Sequence, residues 1–468
     1  MLKEINAFAK RQKVTLYIVG GYLRDIFLNR ERENPDIDFC LKSGAIKFGR
    51  RLAREIKAGF VVLDQEHGAC RLVKKIAGKA CTLDFTDFRG KNLEEDLFHR
   101  DFSFNSICVE LDRLVKGEKL ENILIDFHHG RGDLRAKIVR AINQTAFDED
   151  PLRILRAFSF SAILGFKIEK ATLRLIKLKK NKLAQVSGER IRDEFFKILA
   201  RRDAFPYLRQ LDKLKILKLI IPEIEMMRHV KQGPYHHLDV WEHTLETLRQ
   251  LETVMKNIKN NQPLKDYLDE VISGERRRGA LIKLGALLHD IGKPRAKRRE
   301  KGRTKFHGHE RIGLEFTENI CQRLRLSNDE LDALGKMVLW HLRPGYLADN
   351  REITPRAIFR YFRDTAKEGV SVLLISIADQ RATKGPLTSS ASRIRHEKTV
   401  LNLIRRYFKK QKEKKFPRLI TGDDLIKQFK LSPSPLIGKI LSEVEELQAI
   451  GQIKTKKEAL GLVKRFLK

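Results

Sequence analysis

The stretch that most constrains this chain is residues 16–38, LYIVGGYLRDIFLNRERENPDID. An apolar run, Leu16 to Val19, has the residue types of a buried strand and ends on Gly20-Gly21. The amphipathic segment beginning near Tyr22, which carries Arg24 and Asp25, predicts a short helix. Two glycines between strand and helix let the backbone approach an anion closely, with the first free N–H groups of the helix pointing at it. Asp36-Ile37-Asp38 then leads into the apolar Phe39-Cys40-Leu41. Side chains alternate along a strand, so Asp36 and Asp38 project from one face while Ile37 packs on the other. Paired carboxylates on one face suit Mg²⁺, which keeps water and phosphate oxygens as its other ligands. Taken singly, Gly-Gly is most often a turn and Asp-x-Asp a solvated strand edge. In the order strand, GGxxRD, helix, DxD, strand, the parts constrain one another and predict a phosphate cradle beside a metal pair, the apparatus of nucleotidyl transfer.

At 468 residues the chain exceeds one ordinary core, and two to four domains are expected. Its 95 basic residues against 61 acidic give a formal charge of +34, more than solubility requires, and point to a polyanion such as nucleic acid. Five cysteines without a CxxC pair argue for a reducing compartment and against a disulfide framework or zinc ribbon. No apolar run has the length of a membrane span, and the opening MLKEINAFAKRQK lacks the apolar centre of a signal peptide. A cytoplasmic protein with no membrane partner is expected.

From residue 14 to about 127 short β-rich runs (LYIVG, IDFCL, FVVLD, CRLVKKI, CTLDFTDF, SICVEL, ILIDF) alternate with a helical segment, Gly44 to Ala58. This predicts an α+β head, a mixed sheet with helices packed on it. From Leu134 onward the apolar spacing is helical and almost no strand is expected. The expected organisation is a catalytic head at 1–132, a helical neck at 133–205, a metal-binding helical domain at 206–400 and a basic helical module at 401–468. Residues 151–200 carry 12 basic against four acidic residues and 401–468 carry 17 against seven, either solvated helix faces or a long surface for an RNA backbone. The lysine-rich FKKQKEKKFPR, 408–418, reads as a linker, with Pro417 ending the preceding helix. KPRAKRREKGRTK, 293–305, reads as a mobile basic loop able to attract a phosphorylated substrate or RNA end.

In CTLDFTDF, alternation puts Thr82, Asp84 and Thr86 on one face, making Asp84 either a third carboxylate beside Asp36 and Asp38 or a polar residue on an exposed strand. A third carboxylate suits two-metal phosphoryl transfer, where one ion activates a 3′-hydroxyl and the other neutralises departing pyrophosphate. In AFDEDPLRILRAF, 146–158, an Asp150 at the start of a helix would share a face with Arg153 and Arg156. An Asp acceptor beside an Arg fork can meet the edge of a base, although spacing alone favours a capped, ion-paired helix start.

The strand-GGxxRD-helix-DxD-strand order resembles the signature of the tRNA nucleotidyltransferase and bacterial poly(A) polymerase family, class II, within the polymerase-β-like nucleotidyltransferase superfamily. LEEDLFHRDFSFNSI, residues 93–107, resembles that family's EEDL…RDFTxNA segment, with His99 where a second Arg is common and Ser103 for the usual Thr. The resemblance implies that Gly20, Gly21 and Arg24 position a triphosphate, and that Arg100, Asp101 and Asn105 meet the nucleotide's triphosphate and ribose. It further implies that the EDxxRxxR element, here Glu149, Asp150, Arg153 and Arg156, selects CTP and ATP, with Glu149 positioning the Arg. Residues 189–194, ERIRDE, resemble a structural element of the neck. The tail from 420 resembles a segment associated with holding tRNA.

A second constellation is His243 in LDVWEHTLETL, His289-Asp290 in GALLHDIGK, His307 and His309 in FHGHE, His341 in VLWHLRP and Asp379 in SIADQRA. A lone His on an apolar helix is usually a core residue. This ordered set resembles an HD-type metal phosphohydrolase domain, with His243, His289, Asp290, His309, His341 and Asp379 as ligands of a divalent metal whose identity the donor types leave open.

The expected function is template-independent addition of C and/or A to the 3′ end of tRNA, with CTP and/or ATP, Asp36 and Asp38 holding Mg²⁺. The family's CCA-completing members have a flexible segment between the catalytic strands and the Arg-Asp motif. Here only RGKNLEEDLFH separates Phe88 from Arg100, a shortening that resembles enzymes adding CC alone. The alternatives are a poly(A) polymerase and, from a different class, an HD phosphohydrolase acting on RNA-end or cyclic phosphates with an inactive head.

Overall fold

Residues Glu31–Pro35, inside the opening stretch, lie outside what the computed structural model describes; it covers 1–30, 36–76, 78–257, 261–350, 352–412 and 417–467. On either side the predicted order holds: β1 (Tyr17–Val19), the helix Gly21–Phe27, then β2 (Asp36–Leu41). With β3 (Gly59–Asp64), β4 (Ala69–Ile76), β5 (Lys79–Asp87) and β6 (Cys108–Glu110) they form a six-stranded mixed sheet of order β3-β4-β5-β2-β1-β6. β2 and β5 run parallel and the other neighbours antiparallel. Register sets Asp38 opposite both Asp84 and Val19.

The two faces of the sheet differ as the alternation requires. Phe39 and Phe85 stack at 4.7 Å on the face away from Asp38 and Asp84. Phe48 of the Ala45–Glu55 helix and Phe8 of the Leu2–Arg11 helix extend this aromatic core. Gly49 permits the close approach of helix to sheet, since a β-carbon there would lie 2.4 Å from Cys70 Sγ. Burial of these rings on one side leaves the opposite side for polar chemistry.

ILIDF does not join the sheet. Leu120–Ile123 is a helical turn and Ile125 makes one isolated bridge to Cys108, because β6 is only three residues long. After Leu134 strands are confined to short pairs, such as Ile138–Val139 beside Lys167–Ile168. The expected basic loop contains a hairpin: Arg298–Glu300 pairs with Arg303–Lys305 across Lys301 and Gly302, both at positive φ. That is the backbone a two-residue hairpin turn demands, and an ion pair of 2.8 Å between Lys305 and Glu300 offsets some of the charge density. The helix Ser390–Lys412 takes up the first half of the expected linker; residues 413–416 lie outside the described residues.

The chain forms two compact units, Met1–Ile198 and Leu199–Lys468. In the second, the helices Val240–Asn257, Arg278–Leu288, His309–Arg323, Asn328–Trp340 and Gly369–Ala382 carry the histidine-aspartate constellation. Its last residues have their own small core of Ile420, Leu425, Ile440, Val444, Leu447, Ile453, Ala459 and Val463. Thr421 caps the Gly422–Phe429 helix in a capping box with Asp424, and Pro435 opens the Pro435–Ala449 helix. Buried Glu446 of that helix receives Arg356, Arg360 and Arg363 of the Pro355–Thr365 helix. The five cysteines are buried and free. Among the described residues, no helix is long and apolar enough to cross a membrane.

Candidate active sites

Asp36, Asp38 and Asp84 bring ligand oxygens within 4.8 Å of one another on the polar face of the sheet. Alternation along β2 aligns the first two, and the parallel β2–β5 register adds the third. Burial pushes the Asp38 carboxyl up to about 6; Asp36 and Asp84 add to the rise, while Arg100 opposes it. Three clustered carboxylates, one of them resisting ionisation, are a hard all-oxygen donor set that fits a divalent cation. Gly20, at φ +73°, forms the turn beside them: a β-carbon there would lie 3.5 Å from Asp38 Oδ2 and 3.7 Å from Arg100 Nη1. Glycine thus brings strand end, carboxylate and guanidinium together. Arg71 of β4, which sequence reasoning passed over, donates Nε and Nη2 to the two oxygens of Asp84 at 2.8 and 2.7 Å.

Arg100 is held from behind by buried Asp96, whose Oδ2 accepts Nη2 at 3.1 Å. Burial alone would lower its pKa; Asp96, Cys40 and Asp38 together raise it. Asp101 and Asn105 turn inward. Asp101 Oδ1 accepts Phe102 N–H and Asn105 Nδ2, and its Oδ2 accepts Arg156 Nε and Nη2 at 3.0 and 2.7 Å. Against its burial, Arg156 keeps the Asp101 carboxyl below its ordinary value. Arg24 is buried as well, donating to Asp25 and to Asn105 Oδ1 at 2.9 Å. Both arginines lie over the Phe160 ring. Arg24, Asn105, Asp101 and Arg156 are thus linked by one run of side-chain hydrogen bonds. They brace the wall from inside, Arg156 also reaching Glu194 of the ERIRDE segment at 3.3 Å.

The expected shared helical face of Asp150, Arg153 and Arg156 needs a correction. Asp150 is extended and lies outside the Arg153–Leu164 helix, its Oδ1 accepting Leu152 N–H. Proline at 151 explains this, since it disfavours helical backbone at the residue before it. Asp150 Oδ2 instead receives exposed Arg190 at 2.8 Å. Buried Arg153 donates to Ala146 O at 3.1 Å, His99 O at 2.5 Å and Glu149 Oε2 at 3.3 Å.

In the second unit the six predicted metal ligands meet as two triads: His243, His289 and Asp379, and Asp290, His309 and His341. Asp290 faces both. Its Oδ2 lies 3.3 Å from His289 Nε2 and its Oδ1 lies 3.4 and 3.6 Å from the Nε2 atoms of His309 and His341. The Nδ1 atoms of His289, His309 and His341 each sit at 2.7–2.8 Å from the carbonyl oxygen three residues earlier, so Nδ1 is the donor and Nε2 is the nitrogen a metal would take. The Nε2 atoms of His309 and His341 stand 3.2 Å apart, an approach that suits a shared proton or a shared cation. His243 Nε2 lies 2.8 Å from Asp379 Oδ1. Against burial, His289 and Lys293 hold the Asp290 carboxyl well below its ordinary value. The donor set fits two adjacent divalent ions where sequence reasoning expected one. His307 is exposed and outside the group. Two neighbours were missed: Lys293, 2.6 Å from Asp290 Oδ2, and His236, whose ring stands perpendicular to that of His243 at 4.7 Å. HDIGK and PYHH carried them in plain view, but only the fold puts them here.

Three family profiles match in succession: "Poly A polymerase head domain" at residues 16–140, "Probable RNA and SrmB- binding site of polymerase A" at 165–227 and "HD domain" at 240–384. The chain is 30% identical over 458 residues to an A-adding tRNA nucleotidyltransferase of Deinococcus radiodurans, covering 96% of this chain and 95% of that protein. It belongs to the tRNA nucleotidyltransferase family. Within that family it is also 28% identical to a CC-adding tRNA nucleotidyltransferase of Geobacter sulfurreducens, over 97% of this chain and 93% of the other. The fold matches that of a Thermotoga maritima CCA-adding enzyme complexed with tRNA, with a TM-score of 0.63 at 21% identity, covering all of this chain and 95% of that one. A nucleotidyltransferase head followed by a helical region with an HD domain is thus the architecture of this family member.

Proposed function

We propose that the chain adds nucleotides without a template to the 3′ end of tRNA, taking CTP or ATP, with Mg²⁺ at Asp36, Asp38 and Asp84. The observation that carries this is the convergence of the three carboxylates with Gly20 and Arg100 in a chain related end to end to tRNA nucleotidyltransferases. When bound, Mg²⁺ would acidify the attacking 3′-hydroxyl and neutralise the leaving pyrophosphate. Arg100, fixed by Asp96, offers its charge to the triphosphate beside the open Gly20-Gly21 turn. Arg24, Asn105, Asp101 and Arg156 keep that wall rigid, which holds the reacting atoms in line. Asp150 and Arg153 choose the base. Asp150 presents its carboxylate with Arg190, and Arg153 reaches a base by giving up one of its contacts to Ala146, His99 or Glu149. The head, 1–132, does the chemistry; the neck, 133–205, and the basic module, 401–468, hold RNA.

We assign the activity to CC addition. β5 ends at Asp87 and the Leu93–Phe98 helix is capped by Asn92, so the connection is short and tied down, with Arg89 N–H on Asp96 and Lys91 N–H on Glu95. Little slack is left there to re-form the pocket for a second base. A-addition is the second reading, favoured by the Deinococcus radiodurans relative. The test offers tRNA ending at the discriminator base, or already ending in CC, with CTP and ATP singly and mixed. Two C residues on the first substrate and none on the second is the expected result. A on the CC-ended substrate alone supports the second reading, and long A tracts a poly(A) polymerase. No incorporation by wild type, with Asp38→Ala identical, overturns the proposal. The HD centre supports a separate phosphohydrolase activity on RNA-end or cyclic phosphates, lost on His289→Ala and kept on Asp38→Ala.

A further inference from the structure

The carboxylate face of the head sheet continues past the three aspartates. Register places Arg71 of β4 opposite Asp84 of β5, and Val61 of β3 opposite Arg71. Val73, opposite Thr82, is two residues from Arg71 and shares its face. The other side of these strands is filled: Cys70 and Leu72 are buried against the Ala45–Glu55 helix. Val61 and Val73 are 55% and 41% exposed at the open end of the sheet. An arginine and two bare valines beside a candidate metal cluster are a surface with something still to bind.

The arginine is not idle. Both Asp84 oxygens are engaged by its guanidinium, yet Asp84 also lies within ligand distance of Asp36 and Asp38. A divalent ion and Arg71 both draw on the Asp84 oxygens, and a doubly charged ion bound there weakens the hold of the guanidinium. Arg71 is 41% exposed, so once released it stays on this face and can turn outward. Direction follows from the chemistry. In phosphoryl transfer the attacking and leaving oxygens are roughly in line on opposite sides of phosphorus. Gly20 and Arg100, assigned to the triphosphate, flank the carboxylates on the β1 side of β2, whereas Arg71 and the valines flank them on the β4 side of β5. The second reactant, a polyanion with apolar sugar and base faces, matches a cation set among valines.

Resting on the nucleotidyl-transfer proposal, we infer that Arg71, Val61 and Val73 form the subsite for the 3′-terminal nucleotides of the RNA primer. Arg71 leaves Asp84 when a divalent cation enters the carboxylate cluster and then binds a primer phosphodiester, while the valines pack on ribose or base. Arg71 is a positioning residue that couples metal entry to primer binding.

The test measures fluorescence anisotropy of end-labelled tRNA lacking CCA, on the full chain, in EDTA and in Ca²⁺. Arg71→Ala should bind about fivefold to tenfold more weakly than wild type in Ca²⁺, the scale of one lost phosphate contact, and within twofold of it in EDTA. Under turnover with Mg²⁺ it should raise KM for tRNA while leaving KM for CTP within twofold. Arg71→Lys should recover part of the loss, and Val73→Asp, an exposed change that leaves the core intact, should reproduce it. Equal deficits in EDTA and Ca²⁺, unchanged KM for tRNA, or a defect confined to CTP overturns the inference. Wild type that fails to extend any RNA overturns the functional proposal itself, a different outcome from active wild type with an unaffected Arg71→Ala.

Discussion

Asp38→Asn should stabilise the metal-free head while abolishing nucleotidyl transfer. Asp38 is the partly buried central carboxylate of the cluster, and its pKa stands at about 6 against an ordinary 3.8. Because the folded state binds this proton more tightly than the unfolded chain, the group favours folding below the unfolded value, and that advantage is lost as pH rises through about 6. A difference of roughly two units corresponds to about 3 kcal/mol at pH 8, and roughly half of that at pH 5. Asparagine keeps the shape without the charge and escapes the penalty. Native-state hydrogen exchange in EDTA, followed on peptides covering β2 and β5 over a urea series, reads this locally at both pH values. The expected pattern is greater protection in the variant at pH 8, a smaller gain at pH 5, and stabilisation by Mg²⁺ in wild type alone. A variant no more stable than wild type at pH 8, or one whose gain does not depend on pH, refutes the account of Asp38 as an ionised group held at a cost.

The paired triads predict separable metals. Elemental analysis of the purified chain should show one divalent ion fewer for each of His243→Ala and His309→Ala, with nucleotidyl transfer kept within twofold; loss of every ion from both would mean a single site. Arg156→Ala leaves Asp101 buried without its partner and should cost about 2–4 kcal/mol, less than for a wholly enclosed pair because Arg156 is 30% exposed. Urea unfolding measures it, and Asp101→Asn added to the same chain should recover part of the loss. With the Asp101 pKa lowered in the folded state, this contribution is present above the unfolded carboxylate value and should fade as pH falls through the folded one. Glu446→Gln removes the charge that collects three half-exposed arginines and should cost about 1–2 kcal/mol. Faster proteolytic release of residues 417–467 would register it, and an unchanged release rate would count against the clamp.

What the sequence disclosed followed from local periodicity. Alternation put Asp36 and Asp38 on one face, and Gly20-Gly21 between an apolar run and an amphipathic one placed the turn. Identity of partners followed a different rule. Arg24, Asp101, Asp150 and Arg156 were visible as charged residues in suggestive motifs, yet their contacts are Asn105, Arg156, Arg190 and Asp101, chosen by segments that meet only in the fold. Pro151 was a local signal, present at the position that unwinds Asp150. Arg71 had none. Its meeting with Asp84 depends on the β4–β5 register, and a one-residue slip would send it to the opposite face. The hairpin at 298–305 was obscured for another reason. Charge density suggested a loop, while the backbone answered to Lys301-Gly302.

On the proposed function, the charges around Asp38 favour binding of the cation before the substrate. Counting Asp96 behind Arg100, four carboxylates, Asp36, Asp38, Asp84 and Asp96, stand against two guanidiniums, Arg71 and Arg100. The local balance is negative, so a nucleoside triphosphate approaching the Gly20 turn without a divalent ion is repelled by the groups meant to act on it. Two added positive charges cancel that excess and, on the inference above, free Arg71 from Asp84. The repulsion is then removed, leaving Arg100 beside the triphosphate and Arg71 beside the RNA end. Cation first and the two polyanions after is the order that this charge balance favours for the proposed reaction.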